Sequence, residues 1–188
     1  MDRNQDKHRL SIADMITLLR IAGTILLLFF PALSPAFFIL YALTGLTDVL
    51  DGWIARRTKT ASDFGARLDS VADLLFYMAM LLKIFPVLWD ILPVPIWFFV
   101  VVIVVVRLAA YLTAAVKYRR FASLHTYLNK LTGVAVFLVP FLLLSNYGIL
   151  FCWIVGVVAM AASLEELIIH IQKPEYCANT KSILSKTG

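Results

Sequence analysis

Residues 48–73 read DVLDGWIARRTKTASDFGARLDSVAD and join two stretches of strongly apolar sequence. Five of the chain's twelve acidic residues fall inside this segment: Asp48, Asp51, Asp63, Asp69 and Asp73. Their surroundings make the concentration informative. The 188 residues are 61% apolar and 15% charged, with a mean hydropathy of +0.86. An ordinary soluble domain is about half apolar and about one-quarter charged. A globule of this length cannot hide so much apolar surface, so lipid is the solvent that the composition implies. A soluble cytosolic enzyme, a disulfide scaffold and a disordered tail are excluded.

Outward from the segment, six runs are long enough to cross a bilayer, which takes about 20 mainly apolar residues. They are Ile12–Leu33, Pro35–Ala55, Leu68–Trp89, Pro93–Val116, Tyr127–Leu144 and Ile149–Ile171. The runs are continuous and not alternating, which excludes a β-barrel. The breaks between them (Pro31–Pro35, Arg56–Phe64, Asp90–Pro95, Lys117–Thr126 and Ser145–Gly148) are short. Short connections predict antiparallel neighbours in a single bundle. The expectation is an all-α integral membrane protein: one domain over residues 1–188, with polar tails at 1–11 and 174–188. The first run carries Arg20 and no convincing small-residue cleavage site follows it, so it reads as an anchoring helix and not a cleaved signal.

The basic residues orient this bundle. Arg3, Lys7 and Arg9 precede the first run, and Arg56, Arg57, Lys59 and Arg67 separate the second from the third. Lys117, Arg119, Arg120 and Lys130 lie between the fourth and fifth, and Lys173, Lys181 and Lys186 follow the sixth. The other connections offer only Lys83. All basic loops then share one side, and the positive-inside rule places both termini in the cytoplasm. Trp53, Trp89, Trp97 and Tyr147 near run ends fit interfacial belts. Cys152 and Cys177 have no metal or disulfide spacing, and His8, His125 and His170 have no metal spacing.

Ionisable side chains at the centre of a membrane cost at least about 2.5–3.5 kcal/mol each, which makes them functional candidates. Asp48 and Asp51 are i,i+3 late in the second run, and Asp69 and Asp73 are i,i+4 early in the third. Each pair shares a helix face. The short connection sets both pairs at one depth near the cytoplasmic surface, where four carboxylates repel without cations. A ligand set of oxygens alone favours Mg²⁺, Mn²⁺ or Ca²⁺ over zinc. Four carboxylates suffice for two ions, an arrangement suited to phosphoryl chemistry. The structural alternative is a network neutralised by Arg56, Arg57 and Arg67. Gly52 and Ala55 permit close approach of a ligand, and Arg56 offers a planar fork to a phosphate. Gly65 serves as a turn or a close-packing position.

The segment Asp48-x2-Asp51-Gly52-x2-Ala55-Arg56-x8-Gly65-x3-Asp69-x3-Asp73 resembles the signature of the CDP-alcohol phosphatidyltransferase family at each of its eight fixed positions. The resemblance implies metal-dependent transfer of a phosphatidyl group from CDP-diacylglycerol to an alcohol, with release of CMP. It implies two Mg²⁺ or Mn²⁺ ions held by Asp48, Asp51, Asp69 and Asp73, with Asp73 also the general base. Asp48, Gly52, Ala55, Arg56, Ser62 and Gly65 would line the CDP-lipid site. Upstream, Asp14-x-x-Thr17-x-x-Arg20 is similar to the family's N-x-x-T-x-x-R stretch, with Asp in place of Asn. Thr17 would then face the CDP pocket or be an ordinary helix hydroxyl, and Arg20 would take part there or snorkel to the interface. The family further implies a homodimer in a bacterial cytoplasmic membrane with the site facing the cytoplasm. No nucleic-acid partner is expected.

The acceptor must be read elsewhere. Arg107 lies within an apolar run with no acidic partner in its own helix, Lys130 opens the fifth run, and Lys117 lies between them. Together they suggest an anion pocket and a phosphorylated acceptor, for which glycerol 3-phosphate is the first expectation. Asn129-Lys130-Leu-Thr132 loosely resembles the glycerol-phosphate branch, whereas Asp69-Ser70 resembles the serine-using branch. Serine and inositol or its phosphate are therefore the alternatives. Two other classes compete. An intramembrane prenyltransferase also binds diphosphate through Asp clusters but typically has two such segments. A cation carrier or channel would use the cluster as an ion site, although such sites usually lie near the membrane midplane.

Overall fold

The computed structural model describes residues 11–58, 63–119, 124, 126–173 and 182, with positions 49, 51–53, 55, 56, 58, 63 and 66 described through their backbone only. Among these residues the chain is helical and has no strand. The elements are α1 (Ile12–Leu27), α2 (Pro35–Thr58), α3 (Asp63–Ile91), α4 (Val94–Tyr118), α5 (Tyr127–Leu142) and α6 (Gly148–Gln172). They form two compact units that divide at Asp90: α1 to α3 in the first, α4 to α6 in the second.

Among the described residues three stretches are long and apolar enough to cross a membrane: Arg67–Ile91, Val94–Tyr118 and Gly148–Gln172, each of 25 residues. At about 1.5 Å per residue each exceeds the roughly 30 Å hydrocarbon core. Pro35–Asp48, the apolar part of α2, and α5 are shorter. The outward faces are apolar, as lipid contact requires: Phe98, Val101, Val105 and Val116 on α4 are all exposed.

α1 stops at Leu27, short of the expected Leu33. Pro31 disfavours helix in the residue before it. The amides of Leu28, Phe29 and Phe30 accordingly turn to the carbonyls of Ile25, Leu26 and Leu27, three residues back. Leu33 has a φ of 60°, and Ser34 starts α2 by accepting the Phe37 amide on its hydroxyl at 3.2 Å. Pro35 follows at the first helical position, where a missing N–H is harmless. In the opposite direction α2 runs on to Thr58 and α3 begins at Asp63, so both extend beyond the apolar runs that announced them.

In the first unit the buried stripe of α1 is Ala13, Thr17, Arg20, Thr24 and Leu27, a 3- and 4-residue spacing that marks one helix face. α1 packs on α2, whose buried residues are Phe37, Tyr41 and Thr44. Tyr41 stacks on Phe37 at 5.8 Å and on Phe76 of α3 at 5.6 Å, so an aromatic column ties α2 to α3. Gly23 lets α1 come close to α2, because a Cβ there would lie 2.7 Å from Thr44 Oγ1. Gly23→Ala should therefore lower the melting temperature through overpacking worth about 1–3 kcal/mol. In a Thr44→Ala background the same substitution should be tolerated, which a double-mutant melting cycle measures.

In the second unit α4 and α5 both pack on α6. Gly156 sits against the Phe99 ring, 3.0 Å from where a Cβ would stand. The core there is partly polar: Glu166, Ser163 and His170 of α6 and Thr126 before α5 are all buried. Thr126 caps α5 by accepting the Asn129 amide at 3.2 Å.

Candidate active site

The site in the first unit is assembled by three helices around one guanidinium. Asp48 comes from α2, and Asp69 and Asp73 come from successive turns of α3. Acceptor oxygens of the three carboxylates lie within 4.8 Å of one another. Arg20 of α1 reaches all three: Nη1 donates to Asp48 Oδ1 at 2.7 Å and to Asp73 Oδ1 at 2.5 Å, and Nη2 donates to Asp69 Oδ1 at 2.8 Å. The Arg20 side chain is 1% exposed, while the three carboxylates are 44–52% exposed. The cation is thus underneath and the carboxylates present their other side outward.

Three of the four expected metal ligands therefore converge. The fourth, Asp51, lies one turn beyond Asp48 on α2, and its carboxylate is outside the described residues. The same holds for the side chains of Ala55 and Arg56 and for Gly52 as a lining position, and Ser62 lies wholly outside. Gly65 is in the first turn of α3, half-buried. Thr17 is buried on the face of α1 that carries Arg20, and its hydroxyl donates to the Ala13 carbonyl at 3.0 Å.

The donor set fits a hard divalent cation. It consists of carboxylate oxygens alone, which Mg²⁺ and Mn²⁺ prefer. Within the group three formal negative charges face one positive, so a further cation is electrostatically welcome. Asp48, Asp69 and Asp73 would hold it.

Two expectations about α1 change. Arg20 does not snorkel: it is the buried partner of the cluster, a role that sequence reasoning considered for Arg56, Arg57 and Arg67. Its spacing, three residues after Thr17 and four before Thr24, places it on one helix face with them but does not name its three partners. Asp14, which stands where the family pattern has Asn, completes a capping box. Its amide donates to Ser11 Oγ at 3.1 Å, and its Oδ2 accepts the Ser11 amide at 2.8 Å.

The three residues read as an acceptor pocket all belong to the second unit. Arg107 Nη1 is 2.9 Å from Glu166 Oε2 and donates to Asn129 Oδ1 at 2.8 Å, while its Nε donates to the Tyr111 hydroxyl at 3.1 Å. Glu166 is fully buried; its Oε1 accepts the Leu124 amide at 3.0 Å and its Oε2 accepts Asn129 Nδ2 at 2.9 Å. Lys117 Nζ donates to the carbonyls of His170 and Ile171 at 3.0 and 2.7 Å, closing the C-terminal turn of α6. Lys130 is exposed on α5. Glu166 and Asn129 are the residues that sequence reasoning did not promote; an acid in an apolar run was the signal.

The described residues thus combine helices long and apolar enough to cross a membrane with a carboxylate cluster supplied by α2 and α3. The profile of one family, CDP-alcohol phosphatidyltransferase, matches residues 10–164. The chain belongs to the CDP-alcohol phosphatidyltransferase family. It is 40% identical over 68 residues to a CDP-diacylglycerol–serine O-phosphatidyltransferase of Methanocaldococcus jannaschii, covering 36% of this chain and 31% of that protein. It is 36% identical over 90 residues to a CDP-diacylglycerol–inositol 3-phosphatidyltransferase of Candida albicans, covering 44% and 39%. Over 40 residues it is 48% identical to CDP-diacylglycerol–inositol 3-phosphatidyltransferase 1 of Arabidopsis thaliana, covering 21% and 18%. The matched segments thus span at most about two fifths of the length of these curated relatives. No solved structure matches the chain.

Proposed function

We propose that this chain transfers the phosphatidyl group of CDP-diacylglycerol to a small polar alcohol and releases CMP. The observation that carries the reading is the convergence of Asp48, Asp69 and Asp73 within 4.8 Å, in a chain whose family membership covers residues 10–164. In the reaction the acceptor oxygen attacks the phosphatidyl phosphorus, and the bond from that phosphorus to the CMP oxygen breaks. The acceptor proton passes to an Asp73 carboxylate oxygen, which needs only hydrogen-bond reach. Two divalent ions, Mg²⁺ or Mn²⁺, supply charge neutralisation of the diphosphate and of the leaving CMP. Asp48, Asp51, Asp69 and Asp73 hold them. Thr17, Gly52, Ala55, Arg56, Ser62 and Gly65 line the CDP-lipid site, with Arg56 offering its fork to the diphosphate.

The same reading gives one bundle of six spans with both termini in the cytoplasm and the site facing that side. It rests on the six helices and on the distribution of Lys and Arg. A homodimer completes it, on family grounds.

The acceptor reading shifts with the second unit. Glycerol 3-phosphate rested on Arg107, Lys117 and Lys130 as an anion pocket. The charge of Arg107 is met by buried Glu166, and Lys117 is used by the α6 carbonyls. A phosphate group needs a cation whose charge is not already matched. This favours an acceptor without its own phosphate. Serine and inositol, the alcohols in the names of the relatives, satisfy that condition.

The test is an acceptor panel with the purified chain, CDP-diacylglycerol and Mn²⁺ or Mg²⁺, reading CMP. Serine or inositol should support release, glycerol 3-phosphate and inositol phosphate should not, and chelation with EDTA should abolish it. Release with glycerol 3-phosphate alone would restore an anion pocket at Arg107. Metal flux in liposomes without CMP from any acceptor would favour a cation carrier.

A further inference from the structure

Arg20 is the one residue of the cluster that the phosphatidyl-transfer chemistry leaves without a task. It is buried on α1, 1% exposed, and it contacts three carboxylates from two other helices at 2.5–2.8 Å. The three carboxylates that this guanidinium contacts are the same residues whose oxygens could hold a metal ion.

Two physical consequences follow from that sharing. First, three carboxylates brought within 4.8 Å repel one another, and an internal cation relieves the repulsion without any bound ion. Second, a cation on the outer side of the carboxylates would sit a few ångströms from the guanidinium. Like charges at that separation repel even beside half-exposed carboxylates, and each carboxylate divides its negative charge between two cations. Arg20 therefore both organises the ligands and weakens their hold on a divalent ion.

We propose that Arg20 is a resident counter-ion of the carboxylate cluster. It keeps Asp48, Asp69 and Asp73 together when no metal is bound, and it competes electrostatically with the metal so that the site binds divalent ions weakly and reversibly. The proposal rests on the reading of these carboxylates as the metal site. Arg20 is a positioning residue in this account and touches no reacting atom.

The experiment compares the full-length chain in nanodiscs with Arg20→Met and Arg20→Lys. Mn²⁺ binding is read from loss of the free-ion paramagnetic resonance signal, and melting is followed with and without Mn²⁺. Arg20→Met removes the charge but keeps much of the volume. It should melt at a lower temperature than the wild type without metal, bind Mn²⁺ about tenfold more tightly, and gain more melting temperature from Mn²⁺. Arg20→Lys keeps the charge but replaces the fork with a point contact, so its Mn²⁺ affinity should fall between the two. If Arg20→Met does not fold without metal, a rise in the Mn²⁺ affinity of Arg20→Lys above wild type carries the proposal. Mn²⁺ affinity that is unchanged or weaker in the variants overturns it, because a purely structural arginine would give that result. Absence of Mn²⁺ binding in the wild type as well overturns the metal-site reading itself, and with it the proposal.

Discussion

Asp73→Asn is expected to reduce CMP release by about 10²- to 10⁴-fold, the range that a positioned general base contributes. The substitution keeps the size of the side chain and removes both its basicity and its charge. Asp73 lies one turn after Asp69 on α3, and its Oδ1 is 2.5 Å from Arg20 Nη1. The cluster then keeps two carboxylates against one guanidinium, so the helices should stay together and the melting temperature should change little. Both readouts matter. A loss of turnover in a folded chain that still binds Mn²⁺ as tightly as the wild type assigns the proton transfer to Asp73. Turnover close to wild type would remove Asp73 as the base and leave it as a ligand only.

The largest expected effect on stability lies in the second unit. Arg107→Met leaves the fully buried Glu166 carboxylate without Arg107, and His170 Nε2, 3.7 Å from its Oε1, matches the charge only when protonated. Breaking a buried pair by removing one partner costs about 3–5 kcal/mol, because the remaining charge is uncompensated. The melting temperature in detergent should fall sharply. Removing the acid too, as Arg107→Met with Glu166→Leu, should recover part of the loss, since an apolar pair of similar volume carries no charge to bury. Recovery should stay partial. The Leu124 amide and Asn129 Nδ2 both donate to Glu166 and would be left without that acceptor. A double variant no better than the single one would mean that those hydrogen bonds, and not the ion pair, hold the unit.

What the sequence displayed of this architecture, and what it concealed, follows from the range of the interactions involved. The helices were readable because each is a continuous apolar run bounded by Pro, Gly or charged residues. The end of α1 was less so, since Leu28 to Phe30 are as apolar as the helix they terminate and only Pro31 marks the change. The convergence of Asp48 with Asp69 and Asp73 was readable because the link between α2 and α3 is short and Asp69 and Asp73 are one turn apart. The partner of that cluster was not. Arg20 meets Asp48, Asp69 and Asp73 across 28, 49 and 53 residues of sequence, and no periodicity reports contacts of that kind. A pairing of Glu166 with a basic group is the ordinary reading of an acid near the end of an apolar run, but that the base is Arg107 was hidden for the same reason. Lys117 shows a second kind of ambiguity. A lysine at a helix end satisfies the positive-inside pattern, an anion pocket and a helix C-cap equally well, and only the positions of the α6 carbonyls decide for the cap.

The central claim is phosphatidyl transfer at the carboxylate cluster. Its most direct test uses CDP-diacylglycerol labelled at the phosphorus nearer the diacylglycerol, incubated with the wild-type chain, Mn²⁺ and serine or inositol. The account predicts that the label moves into a new phospholipid carrying the acceptor headgroup, while CMP appears unlabelled and in equal amount. Label that stays in CDP-diacylglycerol, or that appears in phosphatidic acid whichever alcohol is present, would contradict it.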